Sequence, residues 1–188
     1  MAKVIVVLAD GYEEIEAVTV IDILRRADVE VCVAGLKDGL CKGSHGLLIQ
    51  PDKLLSEVFA DAYDMIVLPG GTVGARNIGK DPKADAVLRK FAQEEKYIGA
   101  ICAAPSVLAE KGLLEGKLAT SYPSFKERME SKCDYQDAIV VVDEHIVTSR
   151  GPATAAEFAF TLVELLVEED TAEKLRNAML FSYMEEEE

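Results

Sequence analysis

Short, largely apolar runs alternate with helix-patterned segments along this chain, and that alternation limits the folds it can adopt. The runs of strand length span residues 3–9, 29–35, 65–68 and 97–101. Such runs are typical of strands that are buried on both faces of a sheet. Segments 14–27 and 82–95 have helical spacing, and Asp81 is the expected cap of the second. Strand, helix, strand at this spacing predicts parallel pairing through right-handed crossovers.

The rest of the chain extends the same pattern. We expect a short antiparallel excursion over residues 40–50, helices over 103–111, 153–167 and 171–180, and strands over 138–142 and 146–149. No repeat, linker or composition break divides the sequence. It therefore predicts one doubly wound α/β domain over residues 1–184, with helices on both faces of a mostly parallel sheet. The glutamates at 185–188 are expected to form a solvated acidic tail.

Charge and hydrophobicity exclude several classes of function. The formal net charge of −14 would repel nucleic acid and an anionic membrane surface. The first apolar run is too short for a signal-peptide core, and no apolar stretch reaches membrane length, which predicts a soluble cytoplasmic protein. The four cysteines include no Cys-x-x-Cys pair and are expected to be free thiols. His45 and His145 lie at no metal-ligand spacing from a cysteine, so no metal site is predicted.

Three loops should meet at one edge of the sheet, because ligands of open α/β sheets bind outside the carboxyl ends of the strands. These loops are residues 10–13, 69–74 and 102–105. The sequence has no phosphate-binding Gly-x-x-x-x-Gly-Lys-Ser/Thr loop. The carboxylates of Glu13 and Glu14 after the first strand would also repel a pyrophosphate. We therefore expect no nucleotide cofactor.

The loop after the fourth strand contains a candidate nucleophile. Cys102 lies between small residues, in the run Ala-Ile-Cys-Ala-Ala, at a predicted strand-to-helix junction. This context resembles a nucleophile elbow, in which a sharp turn lifts the reactive atom clear of the sheet. The N-terminus of the following helix should favour the thiolate. Backbone amides near Ala103, Gly70 and Gly71 are candidate donors to an oxyanion. Cys32, by contrast, has the setting of a buried apolar residue.

A carboxyl group is the expected proton partner of Cys102. Glu16 continues an apolar stripe with Val20 and Ile23, and Glu13 heads a second stripe on the same helix. Spacing alone does not choose between the two glutamates. A carboxyl group that is desolvated beside a thiolate favours its protonated form, which makes it a hydrogen-bond donor and a general acid/base.

Four motifs, in order, resemble those of the ThiJ/PfpI superfamily, and within it the branch of the parkinsonism-associated deglycase. They are Asp-Gly-Tyr-Glu-Glu-Ile-Glu at 10–16, Val-Leu-Pro-Gly-Gly at 67–71, Ala-Ile-Cys-Ala-Ala-Pro at 100–105 and Thr-Ser-Arg-Gly-Pro at 148–152. The resemblance extends over nearly the whole chain and implies a flavodoxin-like fold. It matches the readily oxidised cysteine of the branch with Cys102 and the glutamate beside it with Glu16. The amides of the oxyanion pocket match Gly71 and Ala103.

The resemblance also implies activities that need no cofactor. These are the conversion of methylglyoxal or glyoxal to hydroxy acids and the repair of early glycation adducts. The expected partner is thus a small reactive carbonyl or a glycated substrate. The alternative is a non-enzymatic oxidative-stress sensor or redox-regulated chaperone that depends on oxidation of Cys102. The resemblance implies a homodimer, and we expect the first helix, with Arg25 and Arg26, to form its interface.

Two positions depart from patterns found elsewhere in the superfamily. Protease and amidotransferase members have histidine directly after the cysteine, whereas this chain has Ala103, so a Cys-His hydrolase mechanism is not expected. Several members of the branch bring a second histidine near the cysteine from a Thr-x-His-Pro stretch, and Tyr122 holds that place here. A phenol is neutral near pH 7, so it offers a substrate a hydrogen bond and no charge.

Overall fold

The structure is a computed structural model that describes residues 1–182, so the predicted tail at 185–188 lies outside the described residues. Its strands are β1 (Lys3–Leu8), β2 (Glu30–Gly35), β3 (Cys41–Lys42), β4 (Leu48–Ile49), β5 (Lys53–Leu54), β6 (Met65–Leu68), β7 (Tyr97–Ile101), β8 (Leu118–Ala119), β9 (Asp134–Tyr135), β10 (Val140–Asp143) and β11 (Ile146–Ser149). Its helices are α1 (Glu14–Arg26), α2 (Thr72–Lys80), α3 (Pro82–Gln93), α4 (Pro105–Glu110), α5 (Lys126–Met129), α6 (Ala155–Leu166) and α7 (Glu169–Ala178).

A seven-stranded sheet with the order β10-β11-β7-β6-β1-β2-β5 forms the centre of the molecule. Every neighbouring pair in this sheet is parallel except β10 with β11, which confirms the predicted mostly parallel sheet. The strands β3 and β4 pair antiparallel outside it, as predicted for residues 40–50. The chain leaves β1 toward β2 on one side, and β6 lies on the other. The connections that follow β1 and β6 therefore lead to opposite sides of the sheet, and this reversal of direction marks the carboxyl ends of these two strands as the expected ligand site.

Helices cover both faces of the sheet, as predicted. Val4, Val6 and Leu8 of β1 belong to the apolar cluster that contains the buried residues of α1 and α6. Ile5 and Val7 alternate with them and belong to the cluster of α2, α3 and α4. Successive side chains of a strand point to opposite faces, so one continuous aliphatic run supplies both cores.

Several predicted boundaries agree with the structure. β6 and β7 span the predicted residues, and α3 begins at Pro82. The Oδ1 atom of Asp81 accepts a hydrogen bond of 2.8 Å from the amide of Ala84, which satisfies one free donor of the first turn. This bond fixes the start of α3.

The sequence did not predict α2 or the edge strand β5. The helix α2 contains Gly74 and Gly79, whose low helix propensity hides the pattern. Its buried residues Ala75 and Ile78 pack into the core and stabilise it. The predicted helix from Ala103 begins two residues later as α4, because residues 102–104 form a tight turn. Packing against the core thus accounts for α2, and the turn at residues 102–104 accounts for the later start of α4.

No helix within residues 1–182 is long and apolar enough to cross a membrane. The four cysteines are free thiols, as predicted.

Candidate active site

Three loops meet at the carboxyl ends of the adjacent strands β1, β6 and β7. The amide of Glu13 donates a hydrogen bond of 3.1 Å to the carbonyl of Gly70, and the amide of Gly74 donates one of 3.0 Å to the carbonyl of Gly11. These bonds fasten the loop after β1 to the loop after β6. The Asn77 side chain adds a bond of 2.9 Å to the carbonyl of Asp10. Two of the three loops predicted to converge are therefore joined directly to each other by hydrogen bonds.

Cys102 occupies a strained turn directly after β7. Its φ angle is +65°, a left-handed conformation that residues other than glycine seldom adopt. Its amide donates a hydrogen bond of 3.0 Å to the carbonyl of Ser149, and its carbonyl accepts one of 2.9 Å from the amide of Tyr122. Both sides of the backbone are thus held by neighbouring segments. The half-buried side chain lines a surface cavity.

Glu16, in the first turns of α1, is fully buried beside this turn. Its Oε2 atom accepts a hydrogen bond of 2.7 Å from the amide of Gly70, while Oε1 has no hydrogen-bond partner among the described residues. The carboxyl group also interacts with the thiol of Cys102. A Cβ atom at Gly70 would lie 2.4 Å from Oε2 and 2.5 Å from the Cβ atom of Cys102. Only glycine therefore lets the carboxyl group and the thiol approach each other here.

Burial changes the acidity of both groups. Burial, opposed by the bonds from Cys102 and Gly70, raises the pKa of Glu16 to about 7. Burial and then the charge of Glu16 raise the pKa of Cys102 to about 12. The carboxyl group and the thiol lie so close together in a site without solvent that they do not both carry a negative charge. Around neutral pH the pair therefore passes from two protons to one shared proton.

Two backbone amides act in the opposite direction at the sulfur. The amides of Gly71 and Ala103 hydrogen-bond to Cys102 and lower its pKa, although less than burial raises it. The elbow alone was expected to favour the thiolate. The pKa of Cys102 is raised instead, because α4 starts only at Pro105 and is six residues long, whereas burial and Glu16 act directly on the sulfur. Gly71 has a φ of +86°, and a Cβ atom there would lie 2.2 Å from the carbonyl of Gly11.

The cavity above Cys102 has a volume of about 420 Å³. It is lined by Glu13, Ser44, Gly71, Thr72, Val73, Cys102, Tyr122, Ser124, Phe125 and Pro152. Tyr122 is 45% exposed, so its phenol is available from solvent. Sequence analysis had singled out most of this wall but missed Ser44, Ser124 and Phe125. The β3–β4 hairpin was predicted, but no local pattern shows that Ser44 between its strands reaches the cavity.

The two glutamates before Glu16 have different roles. The Oε1 atom of Glu14 accepts bonds from the amides of His45 (2.6 Å) and Leu47 (3.4 Å), and its Oε2 atom lies 2.9 Å from Nδ1 of His45. Glu14 therefore fastens the β3–β4 hairpin to α1. Glu13 lines the cavity, and its Oε2 atom lies 3.6 Å from Nδ1 of His45. One ligand atom from each of these two glutamates and His45 lies within 4.8 Å of the others.

The remaining predicted residues lie away from Cys102. Cys32 is buried, and Cys133 lines a separate cavity with its Sγ atom 3.4 Å from the carbonyl of Met129. The half-buried His145 accepts a bond from the amide of Ile98 through its carbonyl. Arg25 and Arg26 are exposed on α1, where they contact Asp52 and Asp22. The predicted dimer surface stays a prediction.

The chain matches a known protein family over most of its length. The model of the DJ-1/PfpI family matches residues 2–165. The chain belongs to the DJ-1/PfpI family. The resemblance carried by the four motifs is thereby confirmed.

Relatives in this family are similar over most of their length. The Drosophila melanogaster protein dj-1beta is 41% identical over 181 residues, which cover 95% of this chain and 97% of the relative. Its crystal structure has a TM-score of 0.93 and 40% sequence identity, and the match covers 95% of this chain and 97% of that one. The α/β architecture is thus confirmed independently.

Two further relatives are named for an activity. A deglycase from Pyrococcus abyssi is 35% identical over 165 residues, covering 87% of this chain and 99% of the relative. A glutathione-independent glyoxalase from Caenorhabditis elegans is 34% identical over 154 residues, covering 82% of each chain. The relatives of this chain therefore include proteins named as a deglycase and as a glyoxalase, which supports an enzymatic interpretation in general terms.

Proposed function

We propose that the protein is a cofactor-free enzyme that acts on small reactive carbonyls, with Cys102 as nucleophile and Glu16 as general acid/base. The observation that supports this most is the buried carboxyl group of Glu16, held by the amide of Gly70 against the thiol. In such a pair one proton can move between the carboxyl group and the thiol that acts as nucleophile. The reaction is the conversion of methylglyoxal to lactate, or the release of the same unit from an early glycation adduct.

The chemistry follows from that one shared proton. The thiolate of Cys102 adds to the aldehyde carbon C1, and Glu16 protonates the new oxygen to give a hemithioacetal. The carboxylate of Glu16 then removes the proton from C1 and returns it to C2, while the C1 hydroxyl proton passes to the C2 oxygen. Carbon C1 is oxidised and C2 is reduced, so the step needs no external electron acceptor. Water cleaves the resulting thioester to lactate and restores the cysteine.

Charge builds up on the substrate oxygens during these steps. The amides of Gly71 and Ala103, which hydrogen-bond to the sulfur in the free protein, lie close enough to serve the oxygen on C1. Tyr122 contributes a phenol to the same cavity. Its hydroxyl is a donor for the second carbonyl oxygen, at the place where the resemblance implies a histidine in several members of the branch.

The direct test is lactate production from methylglyoxal by the reduced protein. Cys102→Ser is expected to abolish turnover, and Glu16→Gln to lower kcat by about 100-fold or more, within the range of general acid–base catalysis. Cys133→Ser is the matched control, because it removes another partly buried thiol outside the cavity. Turnover retained by purified Cys102→Ser would refute the mechanism.

A redox role is the alternative outcome of the same experiment. The two amides that face the sulfur would also serve the oxygens of a sulfinate. A folded wild type that produces no lactate, while Cys102 is still modified rapidly by iodoacetamide, would favour oxidative-stress sensing or redox-regulated chaperone activity.

Homodimer formation through α1 and a cytoplasmic location complete the proposal. Sedimentation of the purified protein tests the first of these.

A further inference from the structure

The cavity above Cys102 is larger than the smallest substrate requires. Methylglyoxal has five non-hydrogen atoms and occupies roughly 100 Å³, about three times the share of a water molecule in the liquid. The cavity has about 420 Å³, within the range of pockets that hold much larger ligands. Room therefore remains for a group attached to the reacting carbonyl, and the residues around that room determine which groups fit.

One carboxylate, Glu13, is part of the cavity wall. Its side chain is 13% exposed, and no hydrogen bond to its carboxylate occurs among residues 1–182. The basic group within 4 Å of that carboxylate is the imidazole of His45, 3.6 Å away, and that ring is 74% exposed and lies 2.9 Å from Glu14. Glu14 has a structural role on the hairpin, whereas the structure gives Glu13 no comparable one. Its backbone caps α1, but its side chain makes no capping bond.

The rest of the wall does not compensate this charge. The residues that line the cavity include no lysine and no arginine. Below them, Cys102 and Glu16 share one proton and carry one negative charge above neutral pH. Two aromatic side chains, Tyr122 and Phe125, lie in the same wall. A carboxylate together with aromatic rings suits an ammonium or guanidinium group and disfavours a carboxylate or phosphate.

We propose that Glu13 is a specificity residue that selects carbonyl substrates bearing an amino or guanidino cation. This inference rests on the proposed function and names its substrate class. That class is the aminocarbinol adduct of a 2-oxoaldehyde with a basic amino acid that still bears a positive charge. In this reaction the C–N bond breaks, the amine leaves with a proton, and water completes the hydroxy acid, so one adduct and one water give the free amine and lactate.

The test measures charge selection at Cys102 without relying on turnover. The probes are two methanethiosulfonates of similar size, one with a trimethylammonium group and one with a sulfonate group. The thiolate attacks the thiosulfonate sulfur, forms a mixed disulfide and releases methanesulfinate. Mass spectrometry of the Cys102 peptide gives each rate. Division by the rates with 2-mercaptoethanol removes the intrinsic reactivity of the probes.

Glu13→Gln removes the charge and keeps the shape. If the carboxylate and the charged group of the probe are about 6 Å apart and screened as in water, loss of the unit charge changes each labelling rate about threefold. The two probes respond in opposite directions, so the cation-to-anion ratio is expected to fall roughly tenfold. Asp28→Asn is the control, because it removes the same charge at the exposed far end of α1, where the left-handed φ of +57° suits asparagine. Its ratio is expected to equal that of the wild type.

A second variant protects the test against a folding defect. Ser124→Lys adds a cation to the same wall at an exposed residue whose hydroxyl makes no hydrogen bond within the described chain. It should lower the ratio by a similar factor. A ratio in Glu13→Gln within twofold of the wild type, or an equal fall in Asp28→Asn, would overturn the proposal. Failure of the enzyme function is separate, because it appears as missing lactate while the labelling ratio still responds to Glu13.

Discussion

A methyl group added at Gly70 should separate the two reacting groups of the site. The Cβ atom of an alanine there would lie 2.4 Å from Oε2 of Glu16, 2.5 Å from the Cβ atom of Cys102 and 2.9 Å from the carbonyl of Ile101. The first two distances are about 1 Å short of ordinary van der Waals contact. Because the carbonyl belongs to β7, the backbone cannot yield freely, so Glu16 and the Cys102 turn must move apart.

The magnitude follows from two consequences of this displacement. Overpacking of a buried site costs about 1–3 kcal/mol of the free energy of unfolding. Loss of the 2.7 Å bond from the Gly70 amide to a buried carboxyl group adds about 1–3 kcal/mol. A misplacement of about 1 Å lowers catalytic efficiency on the order of 100-fold. We therefore expect Gly70→Ala to lower both the urea midpoint and kcat/KM for methylglyoxal.

Gly79→Ala is the matched control for this substitution. Its Cβ atom would meet the methyl groups of Val107 at 3.5 Å, an ordinary contact, inside the helix α2. Alanine in a helix interior is more favourable than glycine by about 0.5–1 kcal/mol. The control should raise the urea midpoint slightly and leave kcat/KM unchanged. If Gly70→Ala retains kcat/KM within threefold of the wild type, the close approach of Glu16 and Cys102 does not matter for the reaction, and the reasoning is refuted.

Two other predictions concern the proton and the core. Burial raises the pKa of Glu16 to about 7, and the pair of Glu16 and Cys102 loses its first proton there. In part of the one-proton population that remains, Glu16 holds the proton and Cys102 is a thiolate, so the rate of alkylation of Cys102 by iodoacetamide should rise with a midpoint near pH 7 in the wild type. In Glu16→Gln the thiol must ionise without that partner and against burial, so the midpoint should move to higher pH; an unchanged midpoint would show that the two groups titrate independently. Phe91→Ala, at a fully buried ring of α3, should lower the free energy of unfolding by about 3–5 kcal/mol in urea titrations, and a loss under 1 kcal/mol would mean that the core refills the space.

The sequence was informative where a local pattern determined the structure. The aliphatic run of β1 and the Asp81–Pro82 start of α3 needed no distant contact to be recognised. Helix α2 was missed because its glycines weaken the local signal, and only packing against the core stabilises it. The convergence of the loops after β1, β6 and β7 was predicted from the parallel direction of the strands alone.

The candidate site was predictable to a lesser extent. Helical spacing left Glu13 and Glu16 equivalent, and only the fold shows that one lines the cavity while the other is buried beside Cys102. Ser44 reaches the cavity through a hairpin fastened by Glu14, a contact between residues some 30 positions apart. The raised pKa of Cys102 was not predicted either, because it depends mainly on burial and on Glu16, which only the fold brings beside the sulfur.

The left-handed backbone at Cys102 limits how far the thermal stability of this protein can be raised without loss of the thiol. Stability measured by itself would favour glycine or asparagine at that position, since both adopt a φ near +65° more readily than cysteine does. Any search that ranks variants by melting temperature alone will therefore tend to discard the thiol. Programmes that evolve this chain for heat resistance should fix position 102 in advance and seek their gains in helix interiors such as that around Gly79.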